Sequence, residues 1–554
     1  MKRHIFILWG ILLSVMTATA QPSAVKNAAK SVFTLTTFKA DGSLLASSHG
    51  LFVDANGTAI SDWKSFDGAS RAVVVDAAGK SHDVVSFYGV NEIYNVAKFK
   101  VTGKTTGATI AQTGAPEGAT IYLVGYSVKK PEITETKIDK VETFMDKYHY
   151  YVIKSIMPDN TEGCPLVNTN GQVIGFLQHS MYTTDNHSTD AQYITEMQPS
   201  GLTGSEAVFR LTSIPVELPA DEGQARLALM LAAQTTDSLK YARTVDLFIE
   251  KFPALTDGYT ARAQKYLDAN DFAAASKDME TSIKMATDKD EAHYQYARLI
   301  YQKEVYKSKL PYDDWSLDKA MDEAQKAYDI KPLALYEHLK AQIFYTKGEY
   351  GKAYDMFMAL TKTDIRNPEL FYEAAQCKRM LKAPLQESTV LLDSAINIIP
   401  KPYGADAAPY FIARAAQLEE AGEYRKAVLD YNQYDTLMLG RNSAAFYYQR
   451  EQCETKGHLY QQALDDIARA VQLAPQESLY WAEFGSLLLR VNKKEEALVA
   501  AQRSVALEPD FADAYLVKGL AEIQLGKKKE GLESLNKAKE LGNEQAPALI
   551  EKYK

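Results

Sequence analysis

The sequence is poor in cysteine: Cys164, Cys377 and Cys453 are the only three in 554 residues. So sparse and odd a set argues against a disulfide framework, leaving a single Cys377–Cys453 bridge as the one pairing to consider. Long apolar runs are also missing. The one candidate, Ile5–Val15, falls short of the about 20 residues that a membrane span needs. It is preceded by Lys2-Arg3 and followed by Ala18-Thr19-Ala20, the layout of a secretory signal peptide (residues 1–20) cleaved after Ala20. A membrane anchor is the alternative, and no cysteine follows the cleavage site to carry a lipid. The expectation is an exported, periplasmic protein without stable membrane insertion. A basic excess is absent as well: residues 21–216 carry 16 Lys+Arg against 19 Asp+Glu, and residues 217–554 carry 44 against 52. Nucleic acid is therefore not an expected partner. The nine histidines show no His-x-x-x-His spacing, and no glycine-rich phosphate loop is present. Neither a metal nor a cofactor is expected.

What is present falls into two styles of text. Up to about residue 217, short β-branched runs such as GLFVDANGTAIS, RAVVVDAAGKSHDVVSF, ATIYLVGYS and YYVIKSI alternate with Asn-Gly, Ala-Gly and Gly-rich turns. These are strand signals, the pattern of an all-β barrel or sandwich. Beyond IPVELPADEG the text turns to Ala, Leu, Glu and Lys at helical spacing. Pro475, Pro509 and Asn543 recur every 34 residues. Tyr447, Trp481 and Tyr515 keep the same register, as do Ala463, Ala497 and Gly531, and Ala470, Ser504 and Ala538. A 34-residue helix–turn–helix with small residues where the helices cross and a late helix-breaking proline resembles the tetratricopeptide repeat. Weaker copies run back to Asp221. The reading is a solenoid of about nine units over residues 221–545, with a C-terminal capping helix at 546–554.

The β-rich part, over residues 25–215, resembles the trypsin-like fold, closest to periplasmic proteases of the high-temperature-requirement family. GLFVDANGTAISDWKS stands where that family has G-V-I-I-D-x-x-G-x-I-L-T-N-x-H-V. The hairpin Val73–Val85, then NVAKFKV for D-L-A-V-L-K-V and EGCPLVNTNGQVIGF for S-G-G-P-L-V-N-x-x-G-x-V-I-G-I, follow in family order. The resemblance implies a trypsin-like double barrel, followed here by the all-α solenoid. It also implies a lost triad. Lys64 occupies the place of the general-base histidine, Asn95 that of the orienting aspartate, and Glu162 that of the nucleophilic serine. An ordinary lysine, with a pKa of about 10.4, cannot accept a proton near neutrality. A carboxylate is a poor nucleophile toward an amide. No serine lies between Asn160 and Phe176, and Thr161 has no base recognisable in the sequence. Loss of such a triad costs on the order of 10⁶ in turnover. The resemblance would set Lys64 against Glu162, so one expectation is a partly buried ion pair plugging the former site, with Asn95 nearby; the other is that both side chains turn out to solvent.

Cys164 could serve a cysteine–histidine hydrolase only with His49 or His179 beside it, and a space-filling thiol is the commoner outcome. The Tyr148–Tyr151 run reads as cross-strand packing. On the solenoid's inner face the repeat resemblance puts Leu370, Glu373 and Met380, then Tyr448 and Gln452. Leu479, Ala482 and Ser486, then Leu516, Leu520 and Ile523, follow. Of these, Tyr448, Gln452, Leu479, Ala482, Leu516 and Leu520 are the candidate partner-binding residues. The groove would take a protein or peptide segment, or the chain's own C-terminal helix. The reading is thus a non-catalytic interaction scaffold. Its alternatives are an active peptidase with an atypical constellation and a chaperone-like holdase.

Overall fold

A computed structural model describes residues 21–127, 130–157, 161–179 and 185–554. The signal-peptide reading, residues 1–20, lies outside them. The chain divides into two compact units, Met1–Tyr296 and Ala297–Lys554.

In the first unit, six strands close a barrel in the order β1-β2-β3-β6-β5-β4. They are β1 (Val32–Phe38), β2 (Leu44–Phe52), β3 (Thr58–Ser61), β4 (Arg71–Asp76), β5 (Ser81–Asn91) and β6 (Val96–Val101). Alternation explains the closure: along β1, Phe33 and Leu35 are buried while Thr34 and Thr36 are only half-buried, so one side fills the barrel. The filling is aromatic. Phe66, on the turn after β3, meets Phe87 and Phe99 with ring centroids 4.9 and 5.1 Å away. Edge-to-face pairs of this kind add about 0.5–1.5 kcal/mol each beyond burial.

Seven further strands form one antiparallel sheet in the order β8-β7-β11-β12-β13-β10-β9. They are β7 (Thr120–Ser127), β8 (Lys130–Lys137), β9 (Lys140–Phe144), β10 (Tyr148–Ile153), β11 (Pro165–Asn168), β12 (Val173–His179) and β13 (Asn186–Asp190). The expectation of two closed barrels therefore holds for the first half only. The reason is legible on the end strands: β8 and β9 are mostly exposed and carry Lys130, Glu132, Glu135, Lys137, Lys140 and Glu142. Charged edge strands resist further pairing. Val32, Leu51, Ile60, Val124, Val167 and Phe176 pack barrel and sheet together, and the candidate site lies along this seam.

The run of consecutive helices begins at Glu222, while the division between the two units falls inside the Lys289–Tyr306 helix. The Ser238–Lys251 helix explains why the first helices belong with the strands. Its basic side chains end on carbonyls of the β part: Lys240 on Phe209, Arg243 on Ser70 and Ser213, Lys251 on Leu218. Buried Glu217 completes the seam, accepting from Ser86 Oγ at 2.6 Å and meeting Lys251.

From Glu222 to Glu540 the helices follow one another as helix–turn–helix pairs, with the Ala546–Tyr553 helix after them. This repeated array is compatible with a tetratricopeptide-like solenoid. Small residues let paired helices touch. Ala463, Ala470, Ala497, Ser504 and Ala538 are fully buried, and a Cβ on Gly519 would lie 2.8 Å from the Gly531 carbonyl. A second device was not anticipated. Arg262, Arg414 and Arg450 each grip an aspartate sixteen residues on, Asp278, Asp430 and Asp466, through two parallel bonds of 2.6–2.9 Å. Each also reaches an aspartate of the preceding helix: Asp246, Asp393 and Asp435. One planar guanidinium thus ties three helices.

Arg450 and Asp466 are both 7 % exposed, so removing one partner strands a buried charge. Arg450→Ala should lower stability by about 3–5 kcal/mol in urea titrations. Truncating the exposed Lys529 should change it by less than about 0.5 kcal/mol.

Candidate functional site

The seam between barrel and sheet brings Lys64, Asn95 and Glu162 into one neighbourhood. Asn95 ends the turn before β6 in a left-handed conformation, φ 46°, which asparagine tolerates better than most residues. Its Oδ1 accepts the Lys64 backbone N–H at 2.8 Å, and its Nδ2 donates to Glu162 Oε1 at 2.7 Å. The His179 backbone N–H donates to the other Glu162 oxygen at 3.2 Å. Glu162 in turn accepts the His49 N–H on its own carbonyl. Gly163 makes this loop possible. Its φ is 73°, and a Cβ there would sit 2.4 Å from the His49 carbonyl oxygen.

The expected Lys64–Glu162 ion pair is corrected by this geometry. The Lys64 side chain is exposed, and no ion pair within 4.0 Å joins it to Glu162 among the described residues. Opposite charge at two facing positions was not enough. The lysine opens a helical turn, Lys64–Phe66, whose backbone rather than ammonium meets Asn95. Amide donors satisfy the carboxylate instead. Burial raises the Glu162 pKa, and the Asp62 carboxylate adds to the rise. The His179 N–H, its ring and Lys64 oppose it. Asp62 is itself buried, with Oδ2 taking the Ser65 N–H at 2.8 Å.

Cys164 is fully buried, and desolvation pushes its thiol pKa well up, so it fills space as a neutral group. Cys377 and Cys453 are also buried and free. His49 directs Nε2 to the Tyr126 carbonyl at 2.8 Å. His179 behaves differently. Its Nε2 lies 3.1 Å from Thr161 Oγ1, and its Nδ1 lies 2.7 Å from Asn186 Oδ1. The sequence reading gave Thr161 no base, and the structure supplies one. His179 and Asn186 stand directly opposite each other on β12 and β13, a pairing that the spacing in the chain does not advertise. The Tyr148–Tyr151 run packs across strands as read: Tyr150 stacks on His187, and Tyr148 meets Phe144 and Tyr193.

The candidate partner-binding residues separate into two groups. Tyr448 and Gln452 are half-buried on the Ala444–Lys456 helix, and Leu479 is half-buried on the next pair. Tyr448 faces Tyr480 with ring centroids 5.1 Å apart. Ala482 is buried within its helix pair. Leu516 and Leu520 pack with Ala546, Leu549, Ile550 and Tyr553, so the chain's own terminal helix covers them. Of the other inward positions, Leu370 is fully buried, whereas Glu373 is held by His338 at 2.6 Å and Gln342 at 2.7 Å. No helix among the described residues is long and apolar enough to cross a membrane. Among the same residues, no cluster of three or more His, Cys, Asp or Glu could hold a metal.

No protein-family model matches the chain. A short stretch of 72 residues is 32% identical to the peroxisomal targeting signal receptor of Kluyveromyces lactis, covering 13% of each protein. The match thus spans a small fraction of that receptor's length.

Buried acids behind Tyr448 give a pH dependence. Desolvation pushes Glu454 up to about 8, helped by the Asp466 carboxylate, and pushes Glu451 up to about 7. An acid with a raised folded pKa binds more protons folded than unfolded, so its stabilisation is complete below about 4.5. That stabilisation is lost as pH rises through 7–8. Relative to Glu454→Gln, the melting temperature of the native chain should therefore fall between about pH 6 and 8.5. Parallel curves for the two proteins would refute the assignment.

Proposed function

We propose that this chain is an exported interaction scaffold. Its helical array is a tetratricopeptide solenoid that binds a protein or peptide segment, carried beside a trypsin-like domain whose inherited serine chemistry is lost. The observation that carries the reading is the 34-residue register of small crossing residues within regular helix pairs. Ala463, Ala497 and Gly531 recur at equivalent, buried places. Arrays of this construction leave the first helix of each pair to line an extended surface. Here the half-buried tyrosines Tyr448 and Tyr480 stand side by side on successive first helices. Aromatic rings of limited rotamer freedom are effective anchors for a partner segment. The short likeness to a protein named as a receptor for targeting signals supports peptide recognition.

The lost serine chemistry rests on residue identity. Lys64, Asn95 and Glu162 offer neither a hydroxyl nor a neutral imidazole, and Asn95 and Glu162 are bonded to each other. Periplasmic export follows from residues 1–20 and is part of the proposal.

The test is cross-linking of the full chain in envelope extract, compared with the double variant Tyr448→Ser, Tyr480→Ser. A defined set of cross-linked proteins that the variant loses about tenfold, with unchanged circular dichroism, is the expected result. Identical recovery by both chains would remove the solenoid face from recognition.

A further inference from the structure

Thr161 precedes Glu162 by one residue, and its surroundings form a relay that owes nothing to the inherited triad. Asn186 Nδ2 donates to the Ser155 carbonyl at 2.8 Å. Only the amide nitrogen can donate, so this bond sets which way the amide points. Oδ1 consequently faces His179 Nδ1 at 2.7 Å and can only accept, which places the imidazole proton on Nδ1. Nε2 then keeps its lone pair, aimed at the Thr161 hydroxyl 3.1 Å away. Hydroxyl, base and orienting group stand in series, as nucleophilic catalysis requires. Asn186 is neutral, but Glu162 Oε2 lies 3.9 Å from the same Nε2. Its negative charge is placed to stabilise the imidazolium that proton transfer creates.

We propose that Thr161 Oγ1 is an acyl-accepting nucleophile for small esters, with His179 as general base and Asn186 as its positioning residue. In the first half-reaction Oγ1 bonds to the ester carbonyl carbon while Nε2 takes the hydroxyl proton. The carbon–oxygen bond to the alcohol breaks, and the proton passes from Nε2 to the leaving oxygen. Water then attacks the acyl-threonine. Nε2 takes a proton from that water and returns it to Oγ1, and a carboxylic acid leaves. Burial sets the substrate size. Thr161 is 7 % exposed, whereas the His179 side chain is 31 % exposed. Approach is from the imidazole side, and Oγ1 accepts an acetyl-sized group rather than a folded peptide. The activity is independent of the solenoid reading.

Full-length protein incubated with p-nitrophenyl acetate, quenched and digested, should show an acetyl group on the peptide containing Thr161. Thr161→Val should abolish it and Thr161→Ser should restore it, which separates lost chemistry from a failed fold. His179→Gln should slow acetylation by on the order of 10²–10⁴-fold and remove the pH dependence of its rate. Asn186→Ala should displace that pH profile rather than merely scale it. An unmodified Thr161 in the native chain, or an adduct that survives Thr161→Val, would overturn the proposal.

Discussion

A carboxylate taken out of water has to be met by donors, and Glu162 imposes that demand on the seam between barrel and sheet. Asn95 supplies one bond and the His179 backbone another. Satisfying Glu162 therefore fastens the turn before β6 to the end of β12, across the two halves of the β part. The left-handed backbone at Asn95 and the glycine at 163 are the local consequences, since both segments must approach closely to share the site. Lys64 is left outside this arrangement. Asn95 and Glu162 thus act as a structural clasp, and a hydroxyl and an imidazole, on Thr161 and His179, stand next door.

The helical array answers a different constraint. Helices in contact must either lack bulk at the crossing or fill it with satisfied polar groups. Both solutions occur in this chain. Alanine, serine and glycine recur where the backbones touch, and Arg262, Arg414 and Arg450 fork onto aspartates where they do not. A buried guanidinium with two aspartates is costly to desolvate, so it adds alignment more than net stability. Around Arg450, burial raises Glu451 and Glu454, and the crowding of carboxylates adds to it. Order between neighbouring helices and sensitivity to pH thus arise from one cluster.

Much of this was legible in the chain as text. The run RAVVVD became β4, with Ala72 and Val74 buried and the residues between and beside them less so, because a period of two admits one buried face. The 34-residue register located helix pairs, since crossing points demand small side chains at fixed offsets. The arginine forks were also readable in principle, as an arginine with an aspartate sixteen residues on in three pairs. Less of the site could be read. The sequence placed Lys64, Asn95 and Glu162 by resemblance, yet charge alone suggested the wrong pair. The base beside Thr161 is eighteen residues away in the chain, brought there by a hairpin. For Leu516 and Leu520 the sequence left a partner segment and the chain's own C-terminal helix as alternatives, and only the packing puts the helix there.

The sequence by itself determined where strands give way to helices, how the helices repeat, and that no serine lies between Asn160 and Phe176. Those properties are periodic or compositional, and each residue carries its share of them. Only the tertiary structure decided which groups meet: amide rather than ammonium on Glu162, imidazole beside a threonine hydroxyl, and an open second sheet. Such contacts depend on direction and on distances of an ångström or less. Strand register and backbone conformation set both, and neither is a property of residue type.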